Sequence, residues 1–144
     1  MGSESIPTVA TSHSSKRLNI GLWTAQVLIF VPFVLTGLMK MFMPVDQLAA
    51  MWAWPGEVPL WFLRGIGLID VAGGLGVLLP ALLRIRPGLT LVACWCSLVL
   101  QICAIVFHVS RGEADHTPLN FILLFLLAFV IWGRTKAAPF RTAA

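Results

Sequence analysis

Four apolar stretches of roughly membrane-crossing length alternate with short clusters of charge, proline and glycine along this chain. An α-helix rises about 1.5 Å per residue, so roughly 20 apolar residues cover the ~30 Å of hydrocarbon in a bilayer. Leu18 to Met39 carries no charge, which predicts a first spanning helix over residues 18–43. Pro32 would kink it, and a membrane helix tolerates that where neighbours satisfy the freed carbonyl. The second span is expected over residues 60–83 and, unlike the first, contains charges, Arg64 near its start and Asp70 deeper. Leu79-Pro80 and Arg84-Ile85-Arg86-Pro87 mark its end and a tight connection to a third, charge-free span over 87–108, closed by His108. Pro118 is placed to open a fourth span, 117–133, which ends at Trp132-Gly133-Arg134 and is close to the short limit.

The remaining segments read differently. Pro44 to Pro59 bears Asp46, Glu57, Trp52, Trp54 and a Pro55-Gly56 turn, too polar and broken to span but rich in aromatics that anchor at headgroup level. It predicts an interfacial segment with one short helix. Residues 1–17 are rich in Ser and Thr, contain no apolar core of a signal peptide, and predict a disordered tail. Residues 135–144 predict a second tail. The fold class is therefore all-α, one four-helix transmembrane bundle with a short Trp-rich interfacial segment after the first helix.

Composition agrees with lipid as the solvent. Of the 144 residues, 58% are hydrophobic and 11% charged, with a mean hydropathy of +0.90; soluble domains are about a quarter charged. A net charge of +4 raises nucleic acid as a partner, but the basic residues sit at the ends of the apolar stretches and form no aromatic-interleaved face. That partner is excluded. Their placement instead sets an orientation. Lys16, Arg17, Arg84, Arg86, Arg134, Lys136 and Arg141 fall on one side, and only Lys40, Arg64 and Arg111 on the other. By the positive-inside rule both termini and the middle connection are expected to be cytoplasmic, in a multi-pass protein of the inner (cytoplasmic) membrane.

With that topology, Lys40, Arg64, His108 and Asn120 share one level at the outer side. Asp70 and Gln101 lie about 10 Å deeper, level with each other and able to hydrogen-bond across helices. Residues seven apart on a helix point within about 20° of each other, so Cys94, Gln101 and His108 form one stripe with Ser97 and Ala104. Gln26, Phe33 and Lys40 form another, beside Thr36 and Gly37. These stripes are expected to face the bundle interior, because an ionisable group facing lipid is expensive. Two readings follow. The polar groups are interhelical glue, with an ion pair from Asp70 to Lys40 or Arg64; or they line a pocket in which Asp70 and His108 exchange protons or bind a headgroup while Lys40 and Arg64 hold negative charge. The inner half offers mainly Gln26.

Other motifs carry less. Cys94 and Cys96 point some 200° apart on one helix and cannot chelate one ion, so with Cys103 they are read as packing thiols and no metal site is expected. The glycines from Gly65 to Gly76 lie inside a span with no preceding strand, which excludes a nucleotide-binding loop; Ala72 and Gly76 instead let another helix approach closely. His108 and His116 are separated by a loop, which disfavours haem.

The pieces Gly37-Leu-Met-Lys40, Arg64-Gly-Ile-Gly67-Leu-Ile-Asp70 with Gly73 and Gly76, Leu79-Pro80, His108 with Arg111-Gly112-Glu113, and Pro118, Asn120 and Trp132-Gly133-Arg134 resemble the DoxX-like family of small four-helix bacterial membrane proteins. The likeness runs from about Leu18 to Arg134. Where the family usually has Glu in the second helix this chain has Asp70, which keeps the charge and shortens the reach. The family takes its name from a membrane subunit linked to thiosulfate:quinone oxidoreduction. The resemblance implies a redox or quinone connection, with quinone as the candidate ligand and membrane redox subunits or a second copy as partners; it names no catalytic residue. The leading reading is an accessory or small-molecule-binding (quinone or lipid) subunit with Lys40, Arg64, Asp70, Gln101, His108 and Asn120 at the site. The alternatives are a structural or assembly protein and a small carrier of a lipophilic compound.

Overall fold

A computed structural model describes residues 9–140, with side chains from Ser15 onward. Five α-helices follow in order: α1 Val9–Phe42, α2 Val45–Met51, α3 Leu60–Leu82, α4 Gly88–Ser110 and α5 Pro118–Trp132. Short 3-10 turns at Trp54–Gly56 and Ala114–His116 lie in the connections, and a π-helical turn, Gly133–Ala137, prolongs α5. There is no strand among the described residues.

Four of these helices are long and apolar enough to cross a membrane, over Ser15–Phe42, Leu60–Leu82, Gly88–Ser110 and Pro118–Ala137. The first helix begins earlier than expected. Residues 9–17, expected to be disordered, are helical, because no proline or glycine interrupts the chain between Val9 and Ile20 and a helix nucleated in the apolar stretch extends at little cost. Residues 1–8 and 141–144 of the two expected tails lie outside the described residues. The fourth span reaches 20 residues because the π-helical turn continues it.

Short connections make sequential neighbours antiparallel, and the spans pack around a ring in the order α1, α3, α4, α5, with α5 closing onto α1. The core is apolar and tight: Leu22, Ile29, Val77, Leu127 and Val130 are fully buried. The outward faces carry Leu28, Leu68, Trp95, Val99 and Phe125, each more than half exposed. A surface of that kind is stable in lipid and aggregates in water.

The closest helix pair is α1 with α3. A Cβ added at Gly37 would lie 2.8 Å from the Gly67 carbonyl oxygen, and one added at Gly67 would lie 2.8 Å from that of Gly37. Two backbones thus touch at paired glycines, the small-residue contact expected in membranes, though the sequence pointed to Ala72 and Gly76 for it. Gly76 does serve such a contact, against Ala93 of α4.

The segment between α1 and α3 folds over one end of the bundle. Leu48, Trp54 and Leu63 form a second small core there, packed by Met39, Met43 and Phe107. Trp54 meets Phe107 edge-on at 5.9 Å.

Candidate functional site

Beneath that cap the four spans leave a cavity of about 580 Å³, within the range of small-molecule sites. Its walls combine aromatic rings, among them Trp52, Trp54, Phe62 and Phe107, with a set of polar side chains. Five of the six residues singled out in the sequence line it: Lys40, Asp70, Gln101, His108 and Asn120. Arg64 does not.

The glycine crossing explains the pair at the cavity's side. Side chains of a helix lean toward its N-terminus, so Lys40, one turn beyond Gly37, reaches back across Gly67. Its Nζ donates to Asp70 Oδ2 at 2.6 Å, and both side chains are largely buried. Lys40 also lies 5.9 Å from the Trp52 ring centroid.

Arg64 serves a different need. The last carbonyls of a helix have no partner within it. Arg64, on the first turn and a half of α3, donates Nη1 to the carbonyl of Lys40 and Nη2 to that of Met43 at 2.9 Å. It caps α1, in place of holding an anion.

Gln101 stands apart from these satisfied groups. It is 7% exposed, yet its Oε1 accepts no hydrogen bond. Gln101 and Asp70, level on their helices and so able to bond, make no hydrogen bond with each other among the described residues, since level fixes height and not reach. Along the same stripe Cys94 and Ser97 are buried, and Ala104 and His108 line the cavity.

At the cavity's rim, a glycine cap positions the acids. Gly112 has φ 74°, and the turn it makes lets Gly112 N–H bond Val109 O at 3.1 Å and Glu113 N–H bond His108 O at 2.9 Å. The chain doubles back, so the Glu113 carboxylate meets His108 Nδ1 at 3.0 Å and accepts from Arg111 Nε at 3.1 Å. Arg111 also pairs with Glu57, joining the connection before α3 to the one after α4. The hydrogen bond from His108, reinforced by Arg111, holds the Glu113 carboxyl below its ordinary 4.5, and Glu57 raises the Arg111 guanidinium above its usual value. His116, whose ring centroid lies 6.2 Å from that of His108, and Asp115 also line the cavity. The sequence placed both in a polar loop and gave them no role at the site. Gly112 was the signal that this loop returns onto α4.

The DoxX-like family model matches residues 24–130. The chain belongs to the DoxX-like family. No curated protein and no solved structure matches it. In this DoxX-like protein the matched region holds every polar residue of the cavity wall and stops short of Arg134.

Arg134 anchors the opposite end of the bundle, where the sequence indicated only a charge closing the last span. It is 4% exposed and donates to Gln26 Oε1 through Nε and Nη2, at 3.2 and 2.9 Å, and to Asn19 Oδ1 through Nη1 at 2.7 Å. The rings of Trp23 and Phe140 lie against its guanidinium. Gln26 in turn donates to Val77 O at 2.8 Å, tying α5, α1 and α3 together. Cys94 is buried and Cys96 and Cys103 are exposed, all three as free thiols.

Proposed function

We propose that this DoxX-like membrane protein binds a small lipophilic molecule with a polar head, a quinone or a lipid, in the cavity beneath its Trp-rich cap. It would act as an accessory subunit of membrane redox chemistry, in the inner membrane, with the cap on the outer side and both tails cytoplasmic. The observation that carries the reading is the amide of Gln101, buried on the cavity wall with its carbonyl unpartnered. Buried polar groups are almost always satisfied, and leaving one unmade costs about 1–3 kcal/mol. A group kept in that state supports a ligand that completes it. The aromatic walls suit an apolar ring or chain, and the family connection to quinone chemistry supplies the redox context.

The second reading, a structural or assembly protein, is favoured by the Lys40–Asp70 pair, which joins α1 to α3 whether or not anything binds. Gln101→Leu separates the two. It removes no hydrogen bond among the described residues, so a structural protein loses nothing. Under the proposed function, native protein purified in mild detergent carries a stoichiometric quinone or lipid by mass spectrometry. Gln101→Leu then loses most of that ligand while its melting temperature is unchanged or higher. Equal occupancy in the two proteins, or no bound molecule in either, would leave the structural reading standing.

A further inference from the structure

The donors and acceptors left over on the cavity wall restrict the chemistry of what it can hold. Each lysine and arginine at this end is already committed. Lys40 is matched by Asp70; Arg111 is matched by Glu57 and Glu113; and Arg64 is spent on the terminal carbonyls of α1, outside the cavity. Both acceptors and donors are left over. Gln101 Oε1 has no donor, its Nε2 makes no hydrogen bond among the described residues, and Lys40 Nζ engages only Oδ2 of Asp70 with one of its three N–H groups. Of the charged lining groups, Lys40 and Asp70 neutralise each other and Asp115 stands exposed at the rim. A carboxylate or phosphate head entering here would find each lysine and arginine already paired and would lose its hydration uncompensated.

From this balance we infer that the ligand's head group is uncharged and both donates and accepts hydrogen bonds, a hydroxyl on a lipophilic body, and that Gln101 and Asp70 accept from it. The inference rests on the ligand-binding reading above and narrows it. Rotation of the Gln101 amide about its last torsion brings either end to the cavity, so one residue accepts from a hydroxyl and donates to a neighbouring oxygen. Asn120 offers the same pair of functions across the cavity, from the first turn of α5. The anion-holding role expected of Lys40 and Arg64 is therefore replaced by an amide-centred one. Two kinds of membrane molecule share the required chemistry, a hydroquinone and a neutral glycerolipid with a free hydroxyl.

The test uses the full-length protein in detergent, with native mass spectrometry counting bound probe under anaerobic conditions. The probes are a decyl hydroquinone, its dimethyl ether, dioctanoylglycerol, its methyl ether, and decanoate. The hydroquinone or the glycerolipid, whichever is the source, is expected to bind about tenfold or more tightly than its own ether, the loss for one unmatched buried acceptor. Gln101→Leu should abolish that preference. Decanoate should bind worst. If an ether binds as well as its parent, or decanoate binds best, the hydroxyl assignment is overturned and a ligand-binding cavity stands. If no probe binds above the level seen for Gln101→Leu, the ligand-binding reading falls with it.

Discussion

Asp70 and Lys40 differ from every other polar pair among the described residues in being both charged and sunk in a membrane span. A buried pair adds little net stability, but removing one partner leaves an uncompensated charge and costs about 3–5 kcal/mol. Asp70→Asn should therefore lower the melting temperature in nanodiscs markedly, whereas the double variant Lys40→Met with Asp70→Leu should recover most of the loss. A double variant as unstable as the single one would show that the pair does more than neutralise itself. Glu113 makes a second expectation at this scale, concerning pH. Its carboxyl is held below its ordinary value by His108 and then Arg111. Its contribution is complete above the unfolded value near 4.5 and is lost as pH falls through the lower folded value. A melting curve followed from pH ~6 to pH ~3 should decline at the acid end in wild type and decline less in Glu113→Gln. Coincident curves would mean that the carboxylate is not held by His108 and Arg111 in solution. The sequence placed these side chains at the right height, since helical rise converts directly into depth. It could not show which donor faces which acceptor, and so it left Arg64 between an ion pair with Asp70 and a hold on an anion, when the nearest need was the open end of α1.

Helix α3 illustrates how one element can carry glycines of opposite value. Gly67 faces the backbone of α1, with the Gly37 carbonyl 2.8 Å from where a Cβ would stand, while Gly65 has nothing within 4 Å of the same point. Backbone cannot rotate away as a side chain can. Gly67→Ala should force α1 and α3 apart, lower the melting temperature and weaken the Lys40–Asp70 pair. Gly65→Ala should raise it, by up to about 1 kcal/mol of helix propensity. The reverse order would refute the close crossing. Spacing alone did not separate these two glycines, because both are small residues on a spanning helix and only the azimuth of the neighbour distinguishes them. Element existence, by contrast, was plain, because an uninterrupted apolar run of about 20 residues matches the thickness of a bilayer. The starts of the helices were less so, since Val9 to Arg17 is polar enough to pass for a tail and helical only because an apolar stretch follows.

For the molecule as a whole, the charge asymmetry of its connections predicts, by the positive-inside rule, that the Arg84–Arg86 turn and both tails are cytoplasmic and Trp52 and Glu113 outside. Reporter fusions after Glu113 and at Ala144 should give opposite signals, and matching signals would exclude that arrangement. The ring of spans was readable in outline, because short connections leave antiparallel neighbours as the simple solution. Its fastening was not, because Arg134 lies at the end of a stretch where a basic residue ordinarily reaches for water. Instead it turns inward to Gln26 and Asn19 on the first span. This contact joins residues more than a hundred positions apart, and it bears on how the protein is made. With three spans inserted, the side between α1 and α4 is still open, and the Gln26 carbonyl has no guanidinium to meet. The ring is completed by the fourth span, and a side chain at its end locks the first helix in place.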